Sequence, residues 1–116
     1  AQWKASVLAQ LESDATLDGS STDKMIRFGQ SVQSDAAGPA LRAWAQSDGK
    51  VSAILAEVDT DRMARLLALL SENGITNDDL AKAAYGSLVG LQQMHMDDGD
   101  ALVAYATLVD LVLALK

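Results

Sequence analysis

"DALVAYATLVDLVLALK", residues 100 to 116, is a helix-length stretch whose only interior charge is Asp110. A helix that lays one face on its own core needs an apolar stripe backed by a polar face. This one has almost no polar face to turn to water, so it either enters a membrane or is covered by protein on two sides. As an α-helix, Ala101 to Leu115 would rise only about 22 Å, short of the roughly 30 Å of a hydrocarbon core. Asp110 near its centre would be costly there, and no cluster of Lys or Arg flanks it. Cover from two sides remains, with a second chain as one of them, and the stretch reads as part of a subunit interface.

The segment before it supports that reading. Thr76 and Asp79 form a capping-box-like start to a helix that runs to about Met96. Leu80, Ala84, Leu88 and Leu91 line one face, and Ala81, Tyr85, Val89 and Gln92 another. Ala83, Gly86, Ser87 and Gly90 are small enough to admit a neighbouring backbone. A glycine inside a helix costs about 1 kcal/mol against alanine, so two of them imply a packing reason. The "DDGD" turn follows, with Asp98 or Asp100 to cap the last helix. The last two long helices are therefore the expected interface pair, and two copies would make a four-helix bundle. Leu88, Leu91, Tyr105, Leu108, Val109 and Val112 are the residues expected at that dimer interface.

Toward the N-terminus, Trp3, Val7, Leu8 and Leu11 recur at helical spacing, and this helix ends near Ser13. "DATLDGSSTD" is a loop, and Ser20 with Asp23 can cap a helix whose apolar residues are Met25, Ile26, Phe28 and Val32. Gly38-Pro39 restarts the chain, with Pro39 suited to a first helical position and Leu41 and Trp44 facing inward. Val51, Ile54, Leu55 and Val58 keep one register; Met63, Leu66, Leu67 and Leu70 repeat it offset by one residue. With Asp59 available as a cap, that offset predicts two consecutive helices or a kink. Asp61 and Arg65 stand four apart and can pair, and Asn73-Gly74 ends the segment.

Composition closes the fold class. The 116 residues make one domain with a single core. One proline, plentiful Ala and Leu, and no period-two alternation point to an all-α bundle of about six helices. A net charge of −7, with nine basic residues scattered among sixteen acids, speaks against this chain gripping phosphates itself. The absence of cysteine excludes disulfides and thiolate metal sites. With no signal-peptide pattern, it suits a cytoplasmic protein. The chain opens on Ala1 inside a helical pattern and reads as a piece of something longer.

"ALRAWAQSDGKVSAILAEVDTDRMARLLALLSENG" followed by "DDLAKAAYGSLVGLQ" resembles the C-terminal regulatory domain of tetracycline-repressor-like (TetR family) transcription regulators. The resemblance rests on the helix carrying Trp44, the "VDTDR" junction from Val58 to Arg62, the leucine-rich helix ending at Gly74, and "AAYGSLVGL". The opening "WKASVLAQLE" is similar to the end of the long helix that joins the family's two domains. The resemblance implies residues 1–116 as a ligand-sensing and dimerisation domain that forms a homodimer through its last two helices. A small-molecule effector, apolar or amphipathic, would bind inside and release DNA. The basic helix-turn-helix domain is absent from this chain, so contact with DNA would come only through that N-terminal half. The alternative is a stand-alone helical module that binds another protein.

Phe28, Trp44, Met63, Tyr85, Gln92 and Met94 could line an effector pocket of apolar walls with a few polar groups, although such residues also make plain core. Gln92 is the diagnostic one, because a polar side chain on a buried helix face needs a partner. Arg42 and Arg62 are expected to be solvated or paired with nearby acids. His95, the only histidine, could be a ligand contact or a pH sensor, but a surface residue at a helix end is the simpler reading. "DDGD" lacks the spacing and closing glutamate of a calcium loop, and no Glu-x-x-His pair is present, so no metal is expected. No cofactor is expected either. With no GxSxG elbow and no phosphate loop, the chain is not read as an enzyme.

Overall fold

The computed structural model describes residues 2–94 and 96–115. It is all-helical: α1 (Gln2–Ala15), α2 (Ser21–Gln33), α3 (Gly38–Ala45), α4 (Gly49–Ser71), α5 (Asp78–Gln93) and α6 (Asp98–Leu113). The six helices agree with the expected all-α bundle of about six. No helix among the described residues is long and apolar enough to cross a membrane.

Local chemistry sets the boundaries. Ser20 and Asp23 close a reciprocal capping box on α2, the hydroxyl accepting from Asp23 N at 3.1 Å and the carboxylate from Ser20 N at 3.2 Å. Gly74 adopts φ +78° and ends α4, with Gly74 N–H donating to Ser71 O and Ile75 N–H to Leu70 O, both at 3.0 Å. Two caps differ from expectation by one residue. Asn77 rather than Thr76 caps α5, accepting from Asp79 N, and Asp97 rather than Asp98 or Asp100 caps α6.

The anticipated break near Asp59 does not occur, and α4 is one helix of 23 residues. Its buried stripe runs Leu55, Val58, Arg62, Leu66 and Leu69–Leu70 at steps of three and four. Arg62 stands where an aliphatic residue would keep the register. The apparent offset reflects a polar residue inside the stripe.

The core gathers Met25, Phe28 and Val32 from α2, Leu66, Leu69 and Leu70 from α4, Tyr85 and Leu88 from α5, and Tyr105, Val109 and Val112 from α6. Helix α2 lies at the centre, packed against α1, α4, α5 and α6, whereas α3 leans on α4. Tyr105 is fully buried, its hydroxyl donating to Met25 O at 3.0 Å. The ring lies over Gly29, where a Cβ would stand 2.5 Å from Cε2. Glycine is required there for the two helices to approach.

Candidate functional site: a polar network under α1 and an uncovered face on α5 and α6

Seven side chains from five segments meet in a polar network beside the core. Arg42 of α3 reaches Asp59 of α4 with both terminal nitrogens, at 2.7 and 3.1 Å. Tyr85 of α5 donates to the same carboxylate at 2.5 Å and accepts from Arg42 at 3.2 Å. Burial and then the bond to Asp59 push the Tyr85 phenol up to about 12, with Arg62 opposing the shift. Burial works against the charge on Arg42, but Asp59 and Tyr85 outweigh it and hold the guanidinium more firmly protonated.

One turn further along α4, Arg62 is buried and pairs with Asp35 at 3.1 Å. Asp35, in the turn after α2, also accepts a forked hydrogen bond from Trp3 Nε1, 3.0 and 2.9 Å to its two oxygens. Gln92 of α5 donates to the Val32 and Asp35 carbonyls at 3.1 and 3.2 Å. The amide therefore satisfies backbone groups at the end of α2, which is the partner its half-buried position required. Two cations face two carboxylates in this network, and no net charge is buried.

Helix α1 is attached by a short apolar edge, Val7 with Leu11 on the core, and by polar contacts. Only Val7 and Asp14 of α1 are buried, while Trp3 bonds Asp35 and Lys4 pairs with Glu57 of α4 at 2.7 Å. Beneath it, between α1, α2 and α4, lies a cleft of about 220 Å3. Trp3, Ser6 and Gln10 form its α1 wall, Ser31, Ser34 and Asp35 the opposite wall, and Arg62 its inner end.

The expected pocket does not assemble. Phe28 and Tyr85 are buried against each other edge to face, ring centroids 6.4 Å apart, and Met63 packs half-buried on the same core. Gln92 is committed to α2, whereas Trp44 and Met94 are 56% and 66% exposed, so they line no common cavity with the other four. Trp44 does not face inward because α3 packs mainly on α4 and turns that side of the helix to solvent. Arg42 and Arg62 are paired, as one of the two expectations held. Asp61 and Arg65 form no ion pair among the described residues. His95 lies outside the described residues.

The expected interface residues divide. Leu88, Tyr105, Val109 and Val112 are 4% exposed or less, covered by the chain's own helices, and offer nothing to a partner. This corrects the face of α6 assigned to a dimer: α2 and α5 already fill it. Leu91 and Leu108 are half-buried at the margin. The outward residues of α6 and the turn that ends it are instead Val103, Leu111 and Leu115, each 63% exposed or more, together with Ala104, Thr107 and Ala114. On the neighbouring α5, Ala83, Gly86 and Gly90 are exposed, and a Cβ at either glycine would meet nothing within 4 Å. Sequence periodicity found two apolar sides on α6 but could not say which one the monomer uses.

Comparison with family models, with curated proteins and with solved structures finds no match.

Proposed function

We propose that the chain is the dimerisation and effector-sensing domain of a tetracycline-repressor-like regulator, paired through the outward faces of α5 and α6. The observation that carries this reading is the uncovered apolar side of α6 beside the small-residue side of α5. Leu, Val and Ala there face water over about three turns, with Asp110 at the margin of the stripe, while the glycines of α5 leave room for a partner helix. A two-fold pairing of this face on itself would bury it in a four-helix bundle. Under this reading α1 continues toward a DNA-binding half, and its polar attachment lets it shift as a unit. The effector would act by binding one arrangement better than another.

Sedimentation equilibrium at micromolar concentration tests it. The parent is expected to be a dimer, and Val103→Glu or Leu111→Glu a monomer with unchanged helicity, since neither side chain serves the monomer core. A monomeric parent would remove the self-pairing and leave the face to a different protein, as in a stand-alone interaction module.

A further inference from the structure

The cleft under α1 differs in chemistry from the apolar pocket expected from the sequence, and this decides what it can hold. Apart from the paired Asp35 and Arg62, its walls carry neutral hydrogen-bonding groups. Ser6 on α1 and Ser31 on α2 make no side-chain hydrogen bond among the described residues, so both hydroxyls can donate and accept. Gln10 uses its amide nitrogen on Asp14 at 2.9 Å and Ser34 donates to Ser31 O at 3.2 Å, which leaves each an acceptor oxygen. Asp35 has three acceptor contacts, two from one forked indole N–H and one from Arg62. A carboxylate has about four acceptor positions, so one remains for a donor in the cleft.

Charge narrows the class further. Asp35 is already neutralised by Arg62, so a cation gains little, and an anion approaching Arg62 meets Asp35. An apolar ligand would desolvate hydroxyls without pairing them. At about 220 Å3 the space is below that of ordinary drug-sized pockets.

We propose that this cleft binds a neutral polyhydroxylated molecule of monosaccharide size, hydrogen-bonded between Ser6 and Gln10 on one wall and Ser31 and Asp35 on the other. Such a ligand bridges α1 to α2 and fixes a helix whose buried residues are only Val7 and Asp14. The proposal rests on the effector-sensing reading for its biological meaning, but not for the binding itself.

The test uses a Trp44→Phe background, in which Trp3 is the only indole and no cleft residue is altered. D-glucose, D-galactose, D-ribose and myo-inositol are titrated while the Trp3 indole N–H resonance is followed by proton–nitrogen correlation spectroscopy. A saturable shift is expected with at least one of them, with slower amide exchange in α1. Ser6→Ala and Ser31→Ala, each the loss of one hydrogen bond, should weaken binding about 2–10-fold while the spectrum elsewhere stays folded. No saturable shift with any of the four overturns the proposal. So does saturation by acetate or glycine betaine in their place, or affinity unchanged in both serine variants. Sedimentation of the same samples separates the two readings. A monomer that binds sugar removes the dimer alone, and a dimer that binds none removes the ligand alone.

Discussion

Tyr85 and Tyr105 are both held protonated by the fold, and the sign of the consequence can be worked through. Burial and the Asp59 hydrogen bond raise Tyr85 to about 12, whereas an unfolded tyrosine ionises near 10. Burial raises Tyr105 as well. Below pH 10 the stabilisation is whole; as pH rises from about 10 toward 12 the unfolded chain loses these protons first and stability falls. In urea titrations Tyr85→Phe should make that alkaline decline shallower and cost about 1–3 kcal/mol at neutral pH, where Asp59 loses a donor. An unchanged alkaline slope would contradict the account. Gly29→Ala drives a methyl into the Tyr105 ring, which is anchored on Met25 O, and should cost about 1–3 kcal/mol by the same method. Sequence alone indicated that Gln92 needs a partner, because burial of an amide carries that demand. It could not indicate Asp35 for Arg62, since a pairing across 27 residues leaves no local pattern.

Helix α4 shows how one side chain can mislead periodicity. Arg62 occupies a core-facing position, so counting only apolar residues suggests a break where the backbone continues. The caps at Ser20–Asp23 and Asn73-Gly74 were legible because their chemistry is confined to three or four neighbouring residues. Helix α1 buries only Val7 and Asp14, so its stability should respond to polar substitutions more than that of α2, α4, α5 or α6. Trp3→Phe keeps the ring and removes the bond to Asp35. A hydrogen bond to a charged acceptor is worth about 1.5–3 kcal/mol, so amide exchange in the first turns of α1 should quicken about 10–100-fold. Exchange in α2, α5 and α6 should stay as it was. Uniform loosening of all six helices would mean that the Trp3–Asp35 bond supports the whole core rather than α1.

At the scale of the molecule, the apolar C-terminal stretch is explained by division of labour between its two sides. Tyr105, Val109 and Val112 serve the monomer, and Val103, Leu111 and Leu115 are left to water. Composition and period established an all-α chain with this surplus of apolar surface, but the assignment of sides needs the packing of α2. Gly90→Leu separates monomer from dimer most directly. In the monomer the added side chain meets open space, and the helix gains about 0.8–1 kcal/mol of propensity, so folding should be as stable or better. In a bundle closed over α5 the same side chain occupies the partner's place. Sedimentation equilibrium of the parent beside Gly90→Leu is therefore the decisive measurement. The account predicts a parent at twice the 12.2 kDa chain mass and a variant at the single chain mass with equal or higher thermal stability. A parent at 12.2 kDa, or a Gly90→Leu variant that still dimerises, would contradict it.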